Sequence, residues 1–310
     1  MSVGPRVRRG GSGGFAAKTD DPMRSRLAFA LPLLVVALVF PAAARASPST
    51  SAGIAALQVA LRSHGLYHGT IDGIRGPATT RAIRKLQWHA RIAVDGIPGP
   101  QTRRALGRFG RHHLGSRRLH AGLAGWDVAA LQFELAMHGF PSGDFDGIFG
   151  PRVRRALRRF QRWAGLRPDE IAGPATVAAL RRPAPRAVLP LAWPLTHAKL
   201  GDPFGPRGDR FHTGIDLTAP AGTPVYAARD GRVSFADWLD GYGFVVILNH
   251  GHGERTFYAH LSRIDVKVGV FVGQGVRVGL VGSTGDATGP HLHFEVRVRG
   301  AAVNPLTGLS

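Results

Sequence analysis

The sequence predicts a multidomain chain: two small all-α repeats, each a three-helix unit, followed by an all-β antiparallel domain of sandwich or barrel type. Three observations predict it. Leu57-Gln58 recurs as Leu131-Gln132, Gly65 as Gly139, Asp72-Gly73 as Asp146-Gly147, Gly76-Pro77 as Gly150-Pro151, Gln87 as Gln161 and Gly99-Pro100 as Gly173-Pro174, always 74 positions apart. A constant offset over so many positions is duplication. Four prolines lie in the stretch from Arg182 through Pro194, and after Trp193 helical spacing gives way to short apolar runs between Gly, Asp and Asn turns.

Residues 1–22, rich in Gly and Arg, read as a disordered extension ahead of an export signal at 23–46. Met23-Arg24-Ser25-Arg26 is a short basic opening, Leu27 to Phe40 an apolar run, and Ala44-Arg45-Ala46 a small-x-small cleavage pattern. Met23 is therefore an alternative start. The apolar run has 14 residues, short of the roughly 20 needed to cross a bilayer. A cleaved signal is expected, with no stable span afterwards and a location outside the cytoplasmic membrane.

The repeats are expected at 53–110 and 125–182. Apolar residues at helical spacing (Ile54, Leu57, Leu61; Ala82, Ile83, Leu86) alternate there with Gly/Pro/Asp turns. The run Leu57-Gln58, Gly65, Ile71-Asp72-Gly73, Gly76-Pro77, Leu86-Gln87 and Asp95-Gly96-Ile97-Pro98-Gly99-Pro100 resembles the helical peptidoglycan-binding repeat. Binding to wall glycopeptide is what that resemblance implies. The second copy carries Asp169-Glu170-Ile171 in place of Asp95-Gly96-Ile97, which puts the shape of that turn in question. The Gly and Asp residues themselves read as turn chemistry. The proline-rich stretch at 183–192 reads as an extended spacer.

The net charge of +20 first suggests nucleic acid, but its distribution argues for another partner. Gly53–Arg182 holds 21 Lys/Arg against 8 Asp/Glu, whereas Trp193–Ser310 holds 11 against 10. A basic front half on an exported protein suits peptidoglycan carboxylates and anionic wall polymers, not nucleic acid. There is no cysteine, so a metal would have to be held by imidazole and carboxylate.

Chemistry concentrates in 193–310. In His291-Leu292-His293-Phe294-Glu295-Val296 a period of two puts His291, His293 and Glu295 on one face of a strand and Leu292, Phe294 and Val296 on the other. Phe211-His212-Thr213-Gly214-Ile215-Asp216 reads as a loop running into a strand, and Phe257-Tyr258-Ala259-His260-Leu261 as a strand with Tyr258 and His260 on its polar side. Asn249-His250-Gly251-His252-Gly253 reads as a turn with solvated histidines. Gly282 to Gly289 is Gly-rich but lacks the Gly-Lys-Ser/Thr ending of a phosphate loop, and reads as a tight loop beside a cleft.

In the order HxxxD, Ala-His, Gly-Pro-His-Leu-His-Phe-Glu, these motifs resemble the lysostaphin-like zinc metallopeptidases that cut peptidoglycan cross-links. The resemblance implies His212, Asp216 and His293 as ligands of one zinc ion per chain, and His260 and His291 as the two catalytic histidines. It implies metal-assisted amide hydrolysis, with either imidazole as the base. Glu295 and Tyr258 stay open between supporting these groups and an ordinary surface role. A wall-binding protein or hydrolase activator on the same fold is the alternative from another class.

Overall fold

The computed structural model describes residues 50–187, 190–197 and 199–310. The extension at 1–22 and the export segment at 23–46 lie outside the described residues. Among the described residues no helix is long and apolar enough to cross a membrane.

Among the described residues six α-helices fill the front half: α1 (Ala52–Ser63), α2 (Pro77–His89), α3 (Pro100–Ala105), α4 (Trp126–Met137), α5 (Pro151–Trp163) and α6 (Pro174–Leu180). Four of them start at a Gly-Pro pair, with an extended glycine as cap and proline at the first helical position, where its missing N–H costs nothing. Each start in the second unit lies 74 residues after its counterpart.

A finer repeat lies inside each unit. Gln58, Gln87, Gln132 and Gln161 are all buried. The side-chain carbonyl of each accepts a turn N–H, from Gly73, Gly96, Gly147 and Glu170 respectively. Each amide donates to the preceding aspartate: Asp72, Asp95, Asp146 or Asp169. At three of the four, the amide also reaches an Ile carbonyl and a Thr hydroxyl, at Thr79, Thr102 and Thr176. The aspartates are turn residues, as expected. Backbone N–H donation by Ile97 and Ile171, followed by the glutamine amides, holds the Asp95 and Asp169 carboxyls below the usual carboxylate range.

The turn at Glu170 keeps the shape of its counterpart. Glu170 takes φ +62 where Gly96 takes φ +75, a left-handed backbone that costs a side-chain-bearing residue about 1–2 kcal/mol. Arg154 and Arg158 pair with its carboxylate at 2.7 and 3.2 Å, so the departure from glycine comes with its own support.

The two units are not beads on a string. α1 packs on α4, and Ala55, Ala129, Ala130 and Phe133 join one core with Leu57, Leu61 and Ile83.

The back half is all-β: β1 (Lys199–Leu200), β2 (Gly205–Arg207), β3 (Arg210–His212), β4 (Ile215–Thr218), β5 (Pro224–Tyr226), β6 (Gly231–Leu239), β7 (Gly243–Asn249), β8 (Glu254–Ile264), β9 (Phe271–Val272), β10 (Arg277–Val281), β11 (His291–Val298) and β12 (Ala301–Val303). All pairings among these strands are antiparallel. The main sheet runs β1-β4-β11-β8-β7-β6-β9, with β10 joining β5 to the end of β8 and β12 pairing with β11. Leu292, Phe294 and Val296 enter the largest core with Ile215, Leu217, Val246 and Tyr258, as the alternation in β11 predicts.

The proline-rich stretch joins halves that touch. The β2–β3 hairpin reaches between the repeats, where Ile71 N–H donates to Gly208 O (2.8 Å) and Phe145 N–H to Asp209 O (2.7 Å). Positions 71 and 145 are counterparts in the duplication, so the repeats grip the hairpin tip with equivalent backbone groups. Arg62 pairs with Asp209 at 3.2 Å and Arg210 with Asp144 at 2.6 Å. Phe211 is buried in the repeats' core. On the other side Ala302 N–H donates to Gly139 O at 3.1 Å. A Cβ on Gly139 would collide with the Ala302 backbone, so the contact needs glycine.

Candidate metal centre

Cross-strand register builds the site. Asp216 on β4 and His293 on β11 are direct partners, and His291 sits opposite Thr218. His212 ends β3 and returns through Thr213-Gly214 into β4. Gly214 is required there, because a Cβ would collide with the Phe294 carbonyl and stand 2.9 Å from both Glu295 Cγ and His293 Cε1.

Three donor atoms meet. His212 Nε2 lies 3.1 Å from Asp216 Oδ1 and 3.0 Å from His293 Nδ1, which is 2.8 Å from Asp216 Oδ1. Outer partners fix the tautomers. His212 Nδ1 donates to the Pro203 carbonyl (2.9 Å) and His293 Nε2 to the Glu295 carboxylate (3.1 Å). Two imidazole lone pairs and a carboxylate oxygen therefore converge, an arrangement that calls for a cation. Burial alone would lower the His293 pKa and raise that of Asp216. The Asp216 and Glu295 carboxylates, which accept from its ring, instead push His293 up to about 9, and His212 and His293 hold Asp216 well below the usual range, so a proton and a cation compete for the same Nδ1 lone pair. Tetrahedral zinc with ligands at about 2.0–2.1 Å separates them by roughly 3.3 Å, close to the spacings found, so the residues present fit the ion.

Two more imidazoles flank the cluster. His260 Nδ1 donates to Thr284 O (2.7 Å) and His291 Nδ1 to Gly289 O (2.8 Å). The ring centroids of the two lie 4.8 Å apart, and His260 is 5.7 Å from His293. Burial is the main cause lowering the His260 pKa. All five side chains line one cleft of about 740 Å³.

Residues 210–305 match peptidase family M23, and residues 50–106 and 125–180 each match a putative peptidoglycan binding domain. The C-terminal β half of this chain is an M23 peptidase domain. Over 120 residues the chain is 46% identical to the DD-carboxypeptidase/endopeptidase Mpg of Neisseria meningitidis, covering 37% of this chain and 28% of that protein. Over 95 residues it is 47% identical to the peptidoglycan DD-endopeptidase ShyA of Vibrio cholerae (31% and 22%). It is 40% identical over 126 residues to the murein hydrolase activator EnvC of Escherichia coli (41% and 29%). The chain thus spans about a quarter of the length of these relatives. Among solved structures, the catalytic domain of lysostaphin from Staphylococcus simulans aligns at 37% identity and TM-score 0.33, covering 35% of this chain and 90% of that one.

Around the M23 cluster lies a buried network that sequence reasoning left open. Glu295 is fully buried. It accepts from Tyr242 (2.8 Å), His293 (3.1 Å), Arg297 (2.7 Å) and the Thr213 hydroxyl. Burial alone would raise its pKa, but Arg297 and His293 hold it far below the usual range. Glu295 orients a cluster residue and has no surface role. Arg207 Nη1 reaches Asp202 and, at 3.3 Å, the outer oxygen of Asp216.

Tyr258 corrects the sequence reading. It points into the main core, with its hydroxyl accepting from Ala228 N–H at 2.8 Å, and burial pushes its pKa up to about 12. Strict alternation fails because β8 bulges. The β7 register jumps from Val246↔Tyr258 to Phe244↔Leu261, and His260 at φ +60 is the extra residue. A bulge re-aims one side chain, here into the cleft. His250 is not solvated either: its ring bridges Asp230 O and the Thr256 hydroxyl. His252 is exposed.

Proposed function

We propose that this chain is a secreted zinc-dependent endopeptidase that hydrolyses peptide cross-links of bacterial peptidoglycan, held to the wall by its two repeats. The observation that carries the reading is the meeting of His212 Nε2, Asp216 Oδ1 and His293 Nδ1 beside two further imidazoles in one cleft. His212, Asp216 and His293 would hold one zinc ion per chain and leave a fourth position open. Bound there, the ion supplies Lewis acidity toward a carbonyl oxygen or water.

His260 and His291 act as the acid/base pair. Each has its Nδ1–H committed to a backbone carbonyl, which leaves Nε2 as the free lone pair. One takes the proton of the attacking water as it adds to the scissile carbonyl, and a proton is returned to the departing amine. Such a positioned group is worth about 10²- to 10⁴-fold in rate. The cleft is lined by peptidase residues alone, which supports free access for substrate. Export rests on the basic opening, apolar run and Ala44-Arg45-Ala46 of residues 23–46.

The test is digestion of purified peptidoglycan, with the new amine end identified by mass spectrometry. Release by the wild type, abolished by a chelator and restored by zinc, is expected. His293→Ala should bind wall and release nothing, and equal release by both proteins overturns the reading. A hydrolase activator, the description one relative carries, would release nothing alone. It would also stimulate a second hydrolase regardless of His293.

A further inference from the structure

We propose that the cavity at the N-terminus of α5, on the second repeat, is a subsite for the free C-terminal carboxylate of a peptidoglycan stem peptide. It binds the same substrate whose cross-link lies in the cleft. The inference rests on the peptidase reading and extends it to a place where substrate is held away from the reacting bond.

The cavity measures about 340 Å³ and is lined by Ser142, Asp144, Asp146, Arg152, Val153 and Arg155, among others. It lies where the Gln132 copy of the glutamine motif is broken. Thr79, Thr102 and Thr176 each donate to an Ile carbonyl at the start of their helices, but Val153 holds the matching place in α5. Gln132 turns instead to Asp144 O and Asp146 Oδ1. No side chain caps α5, so its first backbone N–H groups have no intrahelical acceptor. A helix N-terminus in that state favours an anion.

Ser142 supplies an independent sign. It lines the same cavity, is 5% exposed, and its hydroxyl has no hydrogen-bond partner among the described residues. An orphaned buried hydroxyl is costly, and a ligand oxygen would satisfy it. The charges agree. Arg154 and Arg158 are committed to Glu170, whereas Arg152 and Arg155 make no ion pair among the described residues. The Arg152 side chain lies against Gly143, next to Ser142; a Cβ there would stand 3.2 Å from its Nη1. Both lining acids are engaged, Asp146 by Gln132 and the Ile148 N–H, and Asp144 by Arg210. The free guanidinium groups suit a carboxylate, which they can grip with paired N–H donors.

Position ties the cavity to the cleft. Arg210, which holds Asp144 of the cavity, is the cross-strand partner of Arg207, which lines the cleft. Paired strands place such residues about 5 Å apart. The two sites therefore touch the turn end of one hairpin.

The test titrates the full chain with a soluble disaccharide tetrapeptide and with its C-terminal amide. Wild type should bind the acid about tenfold or more tightly than the amide. The exposed double substitution Arg152→Ala with Arg155→Ala should erase that preference, while Arg154→Ala with Arg158→Ala, equal in charge on the same helix, should keep it. Equal binding of acid and amide by wild type, or a preference that survives the first pair, overturns the proposal. Tight binding of polyglycerol phosphate without an acid preference would overturn it in favour of an anionic wall polymer. No cleavage is needed for the readout. Failure here leaves wall digestion intact, whereas failure of the peptidase reading leaves wall undigested with the acid preference still present.

Discussion

Glu295→Gln separates the orientation of the candidate metal cluster from the fold that carries it. The substitution keeps the side chain's volume and removes its charge from a fully buried position that faces Thr213, Tyr242, His293 and Arg297. Two losses follow. Arg297 loses its carboxylate, and breaking a buried pair typically costs about 3–5 kcal/mol. The low end applies, since Arg297 remains 23% exposed, stacks over Phe257 at 4.3 Å and still reaches the Tyr242 hydroxyl. The second loss is the fixed tautomer of His293: an amide can offer either oxygen or N–H to Nε2, so Nδ1 is no longer held as a lone pair. Losing such an outer partner reduces metal affinity about 10- to 100-fold. Urea unfolding of the metal-free chain should show a stability loss of about 3 kcal/mol. Competition against a chromophoric chelator should show the zinc Kd raised in that range. A stability loss with an unchanged zinc Kd would refute the orienting role.

Three further outcomes are expected. Gly214→Ala drives a methyl into the Phe294 carbonyl and against His293; overpacking of this kind costs about 1–3 kcal/mol, and zinc binding in the chelator assay should weaken with it. Gly139→Ala puts its clash at the repeat-2 contact with Ala302 instead; digestion of intact wall should fall while cleavage of a small soluble peptide and zinc affinity hold. The depressed Asp95 and Asp169 carboxyls stabilise the repeats fully above the ordinary carboxylate pKa of about 4, and that contribution is lost as pH falls through their folded values. The urea midpoint should therefore drop between pH 5 and pH 3, and Asp169→Asn should flatten the drop.

Much of this was legible in the chain because it depends on local rules. The 74-residue offset gave both helical units, since each start is set by its own Gly-Pro pair. The alternation of β11 put His291 and His293 on one face because both faces of that strand follow strict pleating. Tyr258 was misplaced because one extra residue in β8 changes the face of everything before it, and nothing in Phe257-Tyr258-Ala259-His260 marks a left-handed histidine. Glu295 was left open because its burial comes from neighbours distant in sequence, Thr213, Tyr242 and Arg297. The finer glutamine repeat went unread because its copies sit 29 residues apart at Gln58 and Gln87 while their aspartates sit 23 apart, so no single offset reveals it.

The docking of the repeats changes what they contribute. A flexible spacer of ten residues would let a wall-bound module wander over roughly 16–19 Å, and the cleft would sample many positions on the polymer. Here Gly208 and Asp209 are held by counterpart N–H groups of the two repeats, and His212 follows three residues after Asp209, at the end of the short strand that the turn leads into. With Phe211 buried in the repeats' core, that segment has little slack to absorb a displacement. The basic half therefore does more than draw the chain toward an anionic polymer. On the proposed function it would also set where along a bound polymer the nearly neutral β half can reach, and its contact surface is part of what holds His212 in place.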